Sequence, residues 1–289
     1  MGLRGSSVGG ALRTMIIDAH AHVCSPDEAA YRPIENPRRP PAGTGGTDHL
    51  RTARQRAGVD KAVLVQNSSF YGWDNSFLRD VAAQSAGWAV GCCTLSADHP
   101  HTPDILYALV HRSNARAVRS TEAAAGRYGD PAVRWLYAAA RECGIAINVL
   151  VTPELVEQLA AVAATYPEVP VVLDHCLGLK AGAGLKSTLG KVTALARLPN
   201  VHAKLTFVPT GSAKEAPFRD MHDAVLRVID ASLRRKWLRI ALGLRFPTVN
   251  TRRSLRMPFP GRCRGLGICG PRLGWRRDRL HLWDGRPGL

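Results

Sequence analysis

The chain predicts an α/β fold in which parallel strands alternate with helices and curl toward an eight-stranded (β/α)8 barrel. Three observations carry this. Short apolar runs alternate with helix-length segments from about residue 15 to residue 230. Several of the runs are apolar almost without interruption, as expected of parallel strands covered on both faces. Seven strand–helix units fit into that span, and the first strand is followed by Ala19-His20-Ala21-His22. An open doubly wound sheet commonly carries a glycine-rich phosphate loop at that place.

Strands are expected at 15–18, 61–66, 88–95, 115–121, 145–151, 169–174 and 201–205. Helical stretches between them include 47–58, 75–85, 131–144, 153–166 and 217–229. Gly58 and Gly144 stand where helices end, and Pro131 and Pro153 where they begin. The stretch 33–47 is rich in Pro, Gly and Arg and reads as a long loop over the barrel mouth. A short eighth strand is expected within 238–246, where Leu238, Ile240, Leu242 and Leu244 alternate. No helical periodicity follows it, and Pro258, Pro260 and Pro271 break the segment. The barrel is therefore expected to be incomplete at strand 8 and its closing helix. Residues 1–14 read as a disordered leader, 15–247 as the barrel, and 248–289 as an irregular basic tail.

Composition narrows the function classes. The chain has 289 residues and a formal charge of +16, which raises the question of a nucleic-acid partner. That charge is concentrated: residues 241–289 hold 11 of the 39 basic side chains and 2 of the 23 acidic ones. Beyond Trp275 and Trp283 the tail has no interleaved stacking aromatics at regular spacing, so no nucleic-acid partner is expected. No run of about 18 apolar residues occurs, so no membrane helix is expected. The seven Cys, an odd number with no C-x-x-C pair, point to reduced thiols and a cytoplasmic protein.

The candidate chemistry lies at strand ends. Side chains two apart on a strand share a face, so His20 and His22 project together from the first strand. In a barrel that end is the mouth, where active sites sit. His175 follows the sixth strand in the same way. Asp174 precedes it, and alternation points Asp174 away from the pocket, in a structural role. Arg119 ends strand 4 and can clamp a carboxylate through two N–H groups. Lys204 ends strand 7 and can hold a carboxylate as a point charge. Gln66, Ser68, Ser69 and Tyr71 follow strand 2 as weaker candidates, with Ser68 and Tyr71 assigned to substrate binding. Catalysis is assigned to His20, His22 and His175, acting on a small-molecule substrate.

These pieces resemble the amidohydrolase superfamily, in its branch of 2-pyrone-4,6-dicarboxylate lactonase-like proteins. The resemblance rests on Ile17-Asp18-Ala19-His20-Ala21-His22, the run 58–66, Tyr71-Gly72-Trp73-Asp74-Asn75, Val172-Leu173-Asp174-His175 and the run 200–205. It implies a TIM barrel hydrolase that opens a lactone or similar carbonyl compound by activated-water attack. It also implies a divalent metal, often zinc, at His20, His22 and His175, although some lactonase-like members work without one. Strand 5, Ile145-Ala146-Ile147-Asn148-Val149, has no His, which places the chain on the lactonase-like side. Two alternatives stand beside this reading: a metal-dependent decarboxylase on the same fold, and a non-catalytic remnant with a basic tail.

The family pattern closes strand 8 with W-G-S-D-F-P. Here the segment reads Leu242-Gly243-Leu244-Arg245-Phe246-Pro247, with Arg245 where the Asp stands. A guanidinium has no acceptor and cannot take a proton. Leu-Gly-Leu-Arg-Phe encoded as CTG GGG CTC CGA TTT reads Trp-Gly-Ser-Asp-Phe one base later. The reading frame is therefore expected to change between about Ile229 and Ala241. Sequencing the coding DNA tests this: the displaced codons should spell that pentapeptide, and any other string refutes the idea. With the base lost, weak turnover is expected.

Overall fold

The computed structural model describes residues 15–233. The expected leader, the eighth strand and the basic tail lie outside them. The described residues hold one parallel sheet of seven strands in sequence order: β1 (Ile17–Ala21), β2 (Lys61–Val65), β3 (Ala89–Thr94), β4 (Ala115–Ser120), β5 (Ala146–Val149), β6 (Val171–Leu173) and β7 (Val201–Ala203). Each strand pairs with the next, in register Ala62↔Ala89, Arg119↔Asn148 and Leu173↔Ala203 among others. This is the predicted barrel, incomplete within the described span.

The intervening segments are helical, as strand–helix alternation requires. They are α1 (Thr47–Arg56), α2 (Ser68–Tyr71), α3 (Ser76–Gln84), α4 (Thr102–Arg112), α5 (Pro131–Cys143), α6 (Val156–Thr165), α7 (His175–Gly178), α8 (Leu185–Leu195), α9 (Phe207–Gly211) and α10 (His222–Leu233). The punctuation works as read. Pro131 opens α5 behind Asp130, whose side chain accepts the Ala132 N–H. Gly144 closes the helix at φ 64°, a left-handed value that costs an L side chain and costs glycine little. Helix boundaries shift elsewhere: a 3-10 turn at Pro153–Leu155 precedes α6, and another at Arg219–Met221 delays α10 to His222.

Two apolar clusters form. The large one lies between sheet and helices and includes Leu64, Leu106, Val118, Leu136, Ile147, Leu159, Val171 and Leu173, each at most 1% exposed. The small one lies on the opposite face of the sheet and joins Val65, Cys92 and Ala117, with Val63 and Ala146 against them. The second cluster is the floor of the barrel. It is built of small side chains, and polar groups stand above it. Arg119 is two residues beyond Ala117, and Asn148 two beyond Ala146, so each shares that inner face. The sheet curls enough for the outermost strands to meet through side chains: Lys204, just past β7, lies 3.4 Å from His20 on β1.

Candidate active site

His20 and His22 meet as the sequence predicts. Their ring centroids are 4.8 Å apart and nearly perpendicular, with the two Nε2 atoms at 3.1 Å. A register irregularity between Asp18 and Ala21 lies in β1, and the His20 N–H is held by Asp18 Oδ1 at 3.0 Å. His175 joins them, its ring centroid 4.8 Å from that of His20. Arg119 reaches across from β4, with Nη2 at 3.3 Å from His20 Nε2.

Asp174 corrects the sequence reading. It is buried, and it faces the site. Its Oδ1 lies 2.7 Å from Lys204 Nζ and accepts from Asn148 Nδ2 at 3.1 Å; its Oδ2 accepts from Arg119 Nε at 3.0 Å. The reason is alternation itself: Asp174 shares its face with Val172, two residues back, and not with Leu173 in the large core. His175 then reaches the site by another route. β6 ends at Leu173, and His175, Cys176, Leu177 and Gly178 all adopt positive φ, from 47° to 67°. That left-handed turn swings the imidazole back over the mouth.

The substrate assignments on the β2 loop fare differently. Tyr71 is buried, packs edge-on against Phe70, and its hydroxyl accepts the Ser25 N–H at 2.7 Å. Ser68 begins α2 and is half-buried, and Ser69 donates to Asn67 Oδ1. Gln66 is buried and spends its amide on the Gly72 and Asp74 carbonyls, at 3.0 and 2.8 Å. The hydrogen bonds of these residues hold the loop. Asn148 and Thr206 also belong to the site and were missed. Asn148 could have been found from its place at a strand end among apolar neighbours; Thr206, beyond β7, carried no signal.

The electrostatics follow from burial. Desolvation lowers His20 to about 4, opposed in part by Asp174 and reinforced by Lys204. Desolvation also lowers His22 to about 4, although the exposed edge of this residue softens the effect. His175 is lowered too, again first by desolvation. Burial pushes the Asp174 carboxyl up, but the Lys204 ammonium, with His20 and Arg119, outweighs it and holds the group well below the usual carboxylate range. At neutral pH the site therefore holds neutral imidazoles, one carboxylate and two cations.

The hydrogen bonds set the His22 tautomer. His22 Nδ1 lies 2.7 Å from the Val65 carbonyl, which only accepts, so Nδ1 carries the proton and Nε2 presents a lone pair. His20 Nε2 faces both that lone pair at 3.1 Å and the Arg119 Nη2 donor at 3.3 Å, and its Nδ1 faces Lys204 Nζ at 3.4 Å. Every ring nitrogen of this pair is engaged. His175 has Thr206 Oγ1 at 2.9 Å from Nδ1, and its Nε2 makes no hydrogen bond among the described residues.

The donor set does not suit a divalent ion. The His20 and His22 Nε2 separation of 3.1 Å is close to what two zinc ligands show. However, the Arg119 guanidinium stands 3.3 Å from that same His20 nitrogen, and both oxygens of Asp174 are taken by cations and an amide. A divalent ion there would face two positive charges, with no carboxylate free among the described residues at that point to offset them. Among the described residues no group of three or more His, Cys, Asp or Glu side chains gathers to hold a metal ion.

An inward-facing polar cluster at the mouth of a parallel (β/α) barrel is the place where enzymes of this fold carry their chemistry. The chain belongs to the amidohydrolase family, whose model matches residues 17–237. Solved structures agree in fold. One is a probable 2-pyrone-4,6-dicarboxylic acid hydrolase from Acinetobacter baumannii with citric acid bound, 18% identical over 75% of this chain and 76% of that one, TM-score 0.59. A second hydrolase of that description, from Pseudomonas putida, is 20% identical over 76% and 80%, TM-score 0.61. An amidohydrolase from Burkholderia multivorans with bound zinc is 20% identical over 75% and 80%, TM-score 0.55. No curated protein matches the sequence. No helix among the described residues is long and apolar enough to cross a membrane.

Proposed function

We propose that the chain hydrolyses a small lactone, or a comparable carbonyl compound, that carries a carboxylate. The carrying observation is the pairing of one imidazole with an open nitrogen, His175, with two cations that Asp174 only partly neutralises. Asp174 takes the Arg119 Nε–H and one Lys204 N–H, the Gln66 carbonyl faces Nη1 at 3.5 Å, and the His20 ring faces Nη2 at 3.3 Å and Lys204 Nζ at 3.4 Å, which leaves one N–H on each of Nη1, Nη2 and Nζ for a substrate. Those donors hold the carboxylate and polarise the ring carbonyl. His175 takes the proton from a water that attacks the carbonyl carbon, and the ring oxygen leaves and recovers it. His20 and His22 form the wall that positions Arg119. No step of this route passes through a metal.

Arg245 stands where the family pattern has its acid, so turnover is expected to be low. The test is a panel of carboxylated lactones offered to the full chain and to its Arg245→Asp variant, with products followed by NMR. Ring opening without carbon dioxide release supports the reading; carbon dioxide release selects the decarboxylase. No ring opening by either chain overturns it. With an active substrate, Arg119→Gln should raise KM by roughly 10- to 100-fold, the worth of a charge-assisted hydrogen bond of about 1.5–3 kcal/mol. An unchanged KM would remove Arg119 from substrate binding.

A further inference from the structure

We propose that Thr206 is a positioning residue for His175: its hydroxyl accepts from Nδ1–H and so leaves Nε2 unprotonated toward the substrate. This rests on the reading of His175 as the proton acceptor. The contact is 2.9 Å between Oγ1 and Nδ1. An imidazole free to exchange tautomers would present a proton at Nε2 part of the time, and an N–H cannot take one from water.

The surrounding backbone explains why a second anchor is needed. Three non-glycine residues in succession, His175, Cys176 and Leu177, sit in the left-handed region at φ 53°, 47° and 61°. Such residues are disfavoured there and persist only where neighbours over-determine them. The turn closes on itself through Leu179 N–H to the His175 carbonyl at 3.2 Å. It is tied to the segment after β7 at two points: Cys176 Sγ to the Lys204 carbonyl at 3.4 Å, and His175 to Thr206. The first link fixes the backbone. The second reaches the ring at Nδ1; as acceptor there the hydroxyl fixes the proton on Nδ1, whereas as donor it would leave the proton on Nε2. Lys204, two residues before Thr206, is the cation on Asp174. One short segment therefore supplies both a charge for the site and the orientation of its base.

The experiment uses the full chain labelled with 15N at histidine, and variants Thr206→Val, Thr206→Ser and His175→Gln. Long-range 1H–15N spectra at pH 7 report which ring nitrogen carries the proton, whether or not the chain turns over. The His175→Gln spectrum assigns the signal. Wild type and Thr206→Ser should show a single tautomer protonated at Nδ1; Thr206→Val should shift His175 toward the Nε2–H form. On an active substrate, Thr206→Val should lose roughly 10-fold or more in kcat with KM nearly unchanged, and Thr206→Ser should recover most of it. Circular dichroism separates a Thr206→Val chain that has unfolded, in which case the wild-type and Thr206→Ser spectra decide. An Nε2–H signal in wild type, or no change in folded Thr206→Val, overturns the proposal. If His175→Gln retains full activity, the proposed role of His175 fails as well, and the spectra still show whether Thr206 sets its tautomer.

Discussion

Asp174→Ala is expected to destabilise the fold by about 3–5 kcal/mol, because it strands two buried cations. The side chains of Arg119 and Lys204 are 4% and 2% exposed, and Asp174 is the carboxylate within 3.0 Å of both. The same carboxylate links groups from β1, β4, β5 and the end of β7, so its loss loosens the mouth as a unit. For a domain of this size the midpoint of thermal unfolding should fall on the order of 10 °C. Adding Lys204→Met removes one stranded charge and should restore part of the loss. Calorimetry on the single and double variants measures both effects. A single-variant loss below about 1 kcal/mol, with nothing regained in the double variant, would mean that water already solvates these cations.

Acid should weaken the protein in two separable stages. His20 titrates at about 4 in the folded chain and near 6.5 when unfolded. Between those values the unfolded chain binds the extra proton, so stability falls as pH drops through that window and stops falling below it. The full shift corresponds to about 3 kcal/mol for this nearly buried ring, and His22 acts in the same direction. Asp174 works lower on the scale. Its folded value lies beneath the ordinary 3.8, so its contribution is present above that pH and is lost as pH falls further. Urea unfolding midpoints measured from pH 7 to pH 3 test this. A midpoint that stays level between pH 7 and pH 5 contradicts the first stage, and His20→Gln should flatten it.

Much of the fold was legible because each of its signals is local. The apolar runs place all seven strands, and Pro131, Asp130 and Gly144 bound α5 through capping that depends on neighbours in sequence. The pairing of His20 with His22 was equally local, since alternation along one strand puts them together. Asp174 was read as facing away from the pocket, because the sequence gives no sign that β6 stops at Leu173 and turns left-handed at His175. A run of His-Cys-Leu has no propensity for positive φ, and its conformation is imposed by contacts from the segment after β7. Tyr71 illustrates the opposite failure: a hydroxyl in a promising loop is drawn into packing by Ser25, 46 residues earlier in the chain.

Local patterning was enough for the alternating parallel architecture, for the strand ends as the place of chemistry, and for the residue types that meet there. Which nitrogens are open, which charges are already paired, and how Thr206 reaches His175 came from the folded arrangement alone. Periodicity is a property of one segment and survives without the others. Protonation and pairing depend on distances between strands far apart in the chain, and those distances exist only once the sheet has curled.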